Sequence, residues 1–270
     1  MGRPRKYSLN EKYFENIDSD DKAYILGFIY ADGCITKNYL SFVLAGKDIE
    51  ILEYIKSKIS YSGPLYNFIS RNRNYVGLTV SSKKISNDLI NLGIIRNKTY
   101  LSKELPLYNK KYEGAFLRGF FDGDGSIYSN SNRGYVEYTV CYSGNKSVLN
   151  QVKNILSNYK ISSSNIRHRH DNDESCMLEI RGNVNIEKIY NLFYNNNSDF
   201  YLKRKKERFN NFKLMLNKLT RRNLSDEQIN DIKLLYVSGM KQVEISKIKE
   251  MPKSSIRGVI QRLRKHGKVK

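Results

Sequence analysis

Two copies of one short motif constrain this chain of 270 residues more than any other feature. The first copy is ILGFIYADG (Ile25–Gly33), and the second is LRGFFDGDG (Leu117–Gly125). Each copy is an apolar run that contains small residues four positions apart and ends in Asp-Gly. The final acids, Asp32 and Asp124, are 92 residues apart. Self-similarity at this spacing predicts two structurally related halves.

The small residues of the motifs predict that two helices pack closely against each other. Gly27 and Ala31 share one helix face, and so do Gly119 and Gly123, because residues four positions apart lie one turn apart. Small side chains at this spacing let two helix backbones approach closely. Helices packed through these faces would end at the same place, with the final acid of one beside that of the other.

The final acids are therefore the candidate metal ligands. A helix C-terminus carries a partial negative charge, so two carboxylates at two adjoining C-termini repel each other. A divalent cation removes this conflict, and Mg²⁺ prefers carboxylates together with carbonyl oxygens. We predict a site for Mg²⁺ (or Mn²⁺) formed by Asp32 and Asp124, with Ala31 and Gly123 as further metal-site residues. A single Asp-Gly would more often be a surface turn after a core helix, but two matched copies favour the metal site.

Both nonapeptides fit the signature of the LAGLIDADG homing endonucleases, and the chain resembles the single-chain members of that family over about residues 20–212. The resemblance implies an α+β fold of two pseudo-symmetric αββαββα half-domains, with the signature helices at their interface and a β-surface on the DNA. It also implies an intron-encoded, site-specific endonuclease of a mobile element. Such an enzyme hydrolyses one phosphodiester bond in each strand of a long pseudo-palindromic target, with Asp32 and Asp124 as catalytic acids.

Family members also place a lysine near each active site, after the second hairpin of each half. In half one this resemblance points to Lys83 or Lys84 as a catalytic residue. In half two the aligned stretch has Arg181 and Asn183 instead, so the two active sites are expected to be unequal.

Hydrophobic periodicity predicts the order helix-ββ-helix-ββ-helix in each half. The predicted segments are a basic arm (1–19), half-domain one (20–110), half-domain two (111–212), a basic linker (213–222) and an all-α module (223–270). The last module is predicted to start with a capping box at Ser225 and to contain three helices. It resembles a helix-turn-helix, whose last helix enters the major groove. The candidate DNA contacts of that helix are Lys253, Ser254, Ser255, Arg257 and Gln261.

The charge of the chain favours a polyanionic partner. It has 47 Lys and Arg residues against 27 Asp and Glu, a formal net charge of +20. An excess of this size is typical of nucleic-acid binding, and an arginine on a strand can contact guanine or phosphate. The candidate DNA contacts of the two halves are Arg71, Arg73, Arg133, Arg167, His168, Arg169 and Arg181. The run Tyr201–Arg222, with nine cations and one acid, is predicted to follow phosphates.

The expected partner is double-stranded DNA, bound by a monomer and without a membrane, because no apolar run reaches the length of a bilayer span. Three isolated cysteines suggest a reducing compartment and no zinc cluster. We expect an intracellular protein, cytoplasmic in a bacterial or phage-infected host or organellar, and not secreted. Two other functions stay open at this point: a non-catalytic DNA-binding transcription regulator with a LAGLIDADG-like domain, and an intron RNA maturase. Retention of both acids argues against the regulator.

Overall fold

The structure is a computed structural model. It describes residues 5–95, 104–106, 108–132, 135–169, 175–195, 200–220, 224 and 226–267, and for 131, 132, 135 and 216–220 it describes the backbone alone. Two residues singled out by the sequence, Arg133 and Ser225, lie outside the described residues. The chain divides into two compact units, the first ending at Lys213 and the second beginning at Leu214.

The first unit contains two four-stranded antiparallel sheets, one in each half. The strand order is β1-β2-β4-β3 in half one and β5-β6-β8-β7 in half two. Half one consists of α1 (Asp20–Asp32), β1 (Cys34–Ile35), β2 (Tyr39–Ala45), α2 (Ile49–Lys58), β3 (Tyr66–Ser70), β4 (Arg73–Ser81) and α3 (Lys83–Asn91). Half two consists of α4 (Glu113–Asp124), β5 (Gly125–Asn132), β6 (Tyr135–Gly144), α5 (Lys146–Asn158), β7 (Arg167–His168), β8 (Cys176–Arg181), α6 (Asn183–Tyr194) and the start of α7 (Lys203–Thr220). The predicted α+β fold with two matching halves is confirmed.

Alternation along the strands gives each sheet a core face and an outer face. Val76, Leu78 and Val80 of β4 are fully buried on the core face. Leu178 and Ile180 of β8 are buried in the same way. The residues between them point to the opposite side of the sheet, because successive side chains of a strand alternate. We call that side the outer face.

The hairpin between β3 and β4 turns earlier than the sequence predicts. The run Asn72-Arg73-Asn74 between two strand-like stretches predicts the turn there, but the loop consists of Arg71 and Asn72, with φ of 48° and 59°. Two left-handed residues form the type I′ turn that matches the twist of a tight hairpin. As a consequence, Arg73 is the first residue of β4.

The predicted basic arm 1–19 needs a correction in its second part. Tyr13, Phe14 and Ile17 are buried, and the backbone N–H of Asn10 donates to the carbonyl of Ile59. Burial of these apolar side chains fixes residues 10–17 on half one, which composition alone did not indicate.

The second unit contains α8 (Asp226–Val237), α9 (Gln242–Ile248) and α10 (Lys253–Lys265). Its core consists of Ile232, Ile245, Ile256, Val259, Ile260 and Leu263. Of the candidate DNA contacts on α10, Ser255 is half-buried, and Lys253, Ser254, Arg257 and Gln261 are exposed. The three predicted helices are present, and their identity as a helix-turn-helix stays a prediction. In the part of the chain that the structure describes, no helix is long and apolar enough to cross a bilayer.

Candidate active site and nucleic-acid surface

The two signature helices, α1 and α4, touch through their backbones. A Cβ added at Gly27 would lie 2.1 Å from the carbonyl oxygen of Phe116, and one added at Gly119 would lie 2.0 Å from that of Tyr24. Neither position can hold a larger residue without moving a helix. The four-residue spacing of small residues thus marks the contact face, as the sequence predicts.

The C-terminal ends of α1 and α4 meet at the predicted acids. A Cβ added at Gly123 would lie 2.2 Å from the Cβ of Ala31 and 3.3 Å from Oδ2 of Asp32. Asp32 and Asp124 are both exposed, and each is the last residue of its helix. The fold therefore brings the carboxylate of half one against the backbone next to the acid of half two.

The donors at this place fit a hard divalent cation. They are carboxylate oxygens and backbone carbonyls, which are the ligands that Mg²⁺ and Mn²⁺ prefer. No cluster of three or more His, Cys, Asp or Glu side chains suited to a metal occurs among the described residues. The chain thus offers one carboxylate from each half, which would be completed by the carbonyls of Ala31 and Gly123.

A buried lysine that the sequence interpretation missed lies at the end of α4. The Lys205 side chain of α7 is 5% exposed. Its ammonium group donates to the carbonyl oxygens of Phe121, Asp122 and Gly125 at 2.5, 2.8 and 2.6 Å, and lies 3.4 Å from that of Gly123. Burial lowers its pKa to about 8, although Asp122 acts in the opposite direction. Lys205 is therefore a resident cation on the negative end of α4.

Asp122 is the buried counterpart of Lys205. Its Oδ2 accepts hydrogen bonds from the Tyr24 hydroxyl at 2.8 Å and from the Leu202 N–H at 2.9 Å. Burial raises the pKa of this carboxyl, against the opposing charge of Lys205. Of the two acids in the FFDGDG stretch, Asp122 thus belongs to the interior and Asp124 to the surface.

The start of the basic run 201–222 is used within the protein and does not form an open track for phosphates. Arg204 makes a two-pronged ion pair with Asp48, at 2.7 and 2.9 Å, and Lys203 pairs with Glu50 at 3.0 Å. Both acids belong to half one. Because bidentate Arg–carboxylate pairs are directional, this turn of α7 fixes the closing helix of half two to half one.

The two lysine candidates of half one differ in their surroundings. Lys84 pairs with Glu15 at 2.8 Å and with Asp88 at 3.2 Å, and the hydrogen bond with Glu15 raises the pKa of Lys84. Lys83 is exposed at the start of α3, and its side chain makes no hydrogen bond or ion pair with another described residue. Lys83 is therefore the candidate that can reach a phosphate.

The candidate DNA contacts divide between the two faces of the sheets. Arg73, Arg167 and Arg181 lie on the outer faces, as their strand registers show. His168 pairs with Cys176 on the opposite face, where its Nδ1 lies 3.7 Å from the cysteine sulfur. The structure therefore separates His168 from the arginines.

The remaining candidates of the halves, Arg71 and Arg169, are exposed beside these strands. Arg71 is in the two-residue loop of half one, and Arg169 directly follows β7.

Glu179 is a second residue that the sequence interpretation missed. Its carboxylate is 4% exposed and accepts from Arg167 at 2.5 Å, from Arg181 at 2.9 Å and from the Tyr128 hydroxyl at 2.6 Å. Burial raises the pKa of Glu179, but the hydroxyl and the two guanidinium groups outweigh it, and the net pKa is below the ordinary value. The available signal was the alternation of Glu179 and Arg181, which places an acid and an arginine on the same face of β8.

Comparisons with known proteins agree with this architecture. Residues 111–193 match the model of the LAGLIDADG-like domain. The DNA-directed RNA polymerase subunit Rpo1C of Methanocaldococcus jannaschii is 26% identical over 152 residues, which are 55% of this chain and 17% of that protein. The chain thus spans about a sixth of that relative's length.

Several solved structures share the fold. The LAGLIDADG homing endonuclease I-GzeII in complex with its DNA target has a TM-score of 0.53 at 14% identity, covering 77% of this chain and 94% of that one. The meganuclease I-SmaMI bound to uncleaveable DNA has a TM-score of 0.54 at 13% identity, covering 81% and 98%. I-SmaMI bound to an uncleaved DNA target in the presence of calcium ions has a TM-score of 0.52 at 13% identity, covering 79% and 96%. At these identities the likeness establishes the fold.

Proposed function

We propose that this chain, which contains a LAGLIDADG-like domain and has the two-half fold of the LAGLIDADG homing endonucleases, is a site-specific double-strand DNA endonuclease. It acts as a monomer, since one chain supplies both halves. Its substrate is a long duplex with two related half-sites, and it hydrolyses one phosphodiester bond in each strand. A divalent cation, Mg²⁺ or Mn²⁺, is its cofactor.

One observation carries this proposal: the backbones of the two signature helices touch, and the exposed carboxylate of Asp32 lies against the end of α4, whose last residue is the exposed Asp124. The close approach at Gly123 places Asp32 beside the end of α4. A pair of surface acids serving only solubility would not need glycines at the helix contact. Two acids placed this way could serve as cation ligands, and a bound cation would also reduce their repulsion of DNA phosphate.

In this proposal Asp32 and Asp124 hold the metal, helped by the carbonyls of Ala31 and Gly123. When bound, the divalent cation acts as a Lewis acid that activates water and stabilises the leaving oxygen. Lys83 extends from the start of α3 and stabilises the negative charge that develops on the phosphate. Lys205 neutralises the C-terminal end of α4 from inside, so the half-two site carries a fixed positive charge.

The outer faces of the two sheets are the proposed DNA surface. Helices cover the core faces, whereas Arg73, Arg167 and Arg181 are exposed on the outer faces. The net charge of +20 supplies the general attraction to phosphates. Module 223–270 adds the exposed residues of α10 as a further DNA contact.

A second candidate is a DNA-binding regulator without cleavage activity. One observation favours it: Lys205 already places a cation on the helix end that a metal would otherwise neutralise. In such a regulator, Asp32 and Asp124 would have only a structural role.

A selection on randomised duplex DNA with Mg²⁺ tests the proposal and separates the two candidates. If the chain is an endonuclease, the selection yields duplexes that are cut once in each strand at one position, and no cut products form when the metal is chelated. If the chain is a regulator, it binds one family of duplexes but leaves both strands intact with Mg²⁺ and with Mn²⁺. That result would overturn the proposed activity.

A further inference from the structure

The outer faces of the two sheets correspond position by position but carry different chemistry. The residue two positions after the end of each signature helix starts a row of three residues that are paired across the sheet. These rows are Cys34–Ser41–Thr79 in half one and Ser126–Cys141–Glu179 in half two. Position 79 therefore corresponds to 179, and the offset between β4 and β8 is 100 residues.

The same offset matches aromatic residues of half one to arginines of half two. Gly77 pairs with Tyr66, and its equivalent Met177 pairs with Arg167. Two residues further along, Phe68 of half one corresponds to Arg169. Related backbone positions thus present rings in one half and guanidinium groups in the other.

Half one carries an aromatic strip, which we define as Val43, Tyr66, Phe68 and Tyr75. The rings of Tyr66 and Phe68 stack at 6.1 Å between centroids, and those of Phe68 and Tyr75 at 5.5 Å. Tyr66 lies flat on the sheet, since a Cβ at Gly77 would come within 2.2 Å of its ring.

The aromatic strip is open to solvent. Val43, which pairs with Gly77, is 53% exposed, and Tyr66 and Phe68 are 43% and 37% exposed. Along the paired strand positions of this outer face the described charged residue is Arg73, at the hairpin end. The strip is therefore an apolar surface on a strongly basic protein.

Half two carries a charged network, which we define as Arg167, Glu179, Arg181 and Tyr128. The side chains of Arg167 and Arg181 are 56% and 52% exposed, whereas that of Glu179 is 4% exposed. Each guanidinium group has five N–H donors, so edges remain for a ligand after the bond to Glu179. Because Glu179 is buried and also bound by Tyr128, it holds both arginines in place before a ligand arrives.

We infer that the two halves recognise chemically different half-sites: the aromatic strip contacts the methyl groups of a thymine-rich half-site, and the charged network contacts guanines in the other half-site. This inference rests on the proposed function, because it assigns the two outer faces to one DNA duplex. Glu179 acts as a specificity-determining residue by positioning the two arginines.

General recognition chemistry supports the division. In the major groove thymine presents a C5-methyl group, which apolar side chains contact. Guanine presents O6 and N7 acceptors, which arginine binds in a two-pronged manner. A duplex that satisfies both faces therefore differs between its halves even though the protein backbone repeats.

A base-analogue scan of binding tests the inference. The probe is the duplex recovered from a randomised library by retention on the full chain without a divalent metal, so that binding is measured apart from cleavage. Replacing each thymine by deoxyuridine removes one methyl group, and replacing each guanine by 7-deazaguanine removes one acceptor. We expect deoxyuridine to weaken binding about fourfold per contacted position in one half-site. We expect 7-deazaguanine to weaken it at least roughly fivefold in the other half-site.

Two variants assign the half-sites, and each is the matched control of the other. In Phe68→Ala, replacing thymine by deoxyuridine should no longer weaken binding, and the effect of 7-deazaguanine should be unchanged. Glu179→Gln keeps the shape of the side chain and should reduce guanine discrimination in the other half-site alone. Both variants change one exposed face or one isosteric group, and circular dichroism checks that they fold.

Scans that are flat in both half-sites, or that respond equally to both variants, would overturn this inference while leaving DNA cleavage intact. Retention of no duplex from the library would overturn the proposed function as well. Binding of the duplex that depends on Phe68 but ignores the thymine methyl groups would show that the strip contacts another part of the DNA, and this too contradicts the inference.

Discussion

Half one and half two have the same order of elements and the same strand order, but they differ in the side chains on the outer faces of their sheets. Equivalent core positions hold apolar residues, as with Leu78 and Leu178. Equivalent outer positions hold Thr79 and Glu179, or Tyr66 and Arg167. The comparison teaches that burial fixes the repeated fold, whereas the outer faces are free to differ in what they bind.

The ends of the signature helices show the same contrast. Tyr30 and Asp122 occupy equivalent positions, two residues before the final acid. The Tyr30 hydroxyl donates to the carbonyl of Glu104 at 3.3 Å, and Asp122 accepts from the N–H of Leu202 at 2.9 Å. Each side chain thus ties its signature helix to the segment that follows the third helix of its half. The carboxylate needs a cation for burial, and Lys205 supplies it.

The largest effect is expected where the halves are alike, at the helix contact. Gly27→Ala and Gly119→Ala should each destabilise the first unit by about 3 kcal/mol or more, because the added methyl group meets a backbone carbonyl of the other helix. Urea unfolding followed by circular dichroism measures this.

Gly258→Ala in α10 is the control for these two substitutions. Apart from the adjacent residues and the backbone of its own helix, no atom lies within 4 Å of its added Cβ, so the better helix propensity of alanine should stabilise the protein by about 0.5–1 kcal/mol. Similar small effects at all three positions would show that α1 and α4 do not touch through their backbones.

The next largest effect on stability is expected in half two, at Lys205. Lys205→Met should cost about 2 kcal/mol at pH 7, because it leaves the carbonyls at the end of α4 without their buried donor and the Asp122 carboxylate without its neighbouring positive charge. Equilibrium unfolding of the wild type and the variant measures the difference.

The difference in the free energy of unfolding between the wild type and Lys205→Met should grow at alkaline pH. The pKa of Lys205 is about 8 in the folded protein and 10.5 ordinarily. Between these values the unfolded chain binds more protons, so the free energy of unfolding rises with pH. The wild type should gain roughly 2 kcal/mol over the variant between pH 8 and 10. A difference that stays constant over this range would mean that Lys205 is not desolvated.

The repeated fold could be predicted from the sequence because the core positions recur at helical and strand spacing. Both signature helices lie where the two motifs predict them, and each half has the predicted order of helices and strands. The rings and charges on the outer faces could not be sorted, because the pairing of β4 with β3 and of β8 with β7 sets which side chains meet.

Lys205 was hidden in a run of cations. Its signal was its spacing from the apolar residues Leu202, Phe209 and Phe212, which are all buried. These positions follow a helical face at steps of three and four residues, and Lys205 falls on that face. A lysine on a core-facing position needs buried carbonyls or acids, and their location depends on the packing of α4 against α7.

The smallest effect concerns the lysines of half one. Lys83→Met should slow the cleavage of one strand by about tenfold and leave the other strand unchanged, because half two has Asn183 at the equivalent position. Lys84→Met is the matched control, since its ammonium group pairs with Glu15 and Asp88, and it should leave both strand rates unchanged. A strand-labelled time course measures these rates, and equal loss on both strands in the Lys83 variant would remove the asymmetry.

We propose above that Asp32 and Asp124 together hold the catalytic metal of a DNA endonuclease. The most direct measurement compares the cleavage and the binding of one selected duplex by Asp32→Asn, Asp124→Asn and the wild type. We predict that each substitution lowers double-strand cleavage in Mg²⁺ at least roughly a hundredfold. Binding should be equal or slightly tighter, because a charge that repels phosphate is lost. Cleavage at the wild-type rate by either variant would show that the substituted acid does not hold the catalytic metal.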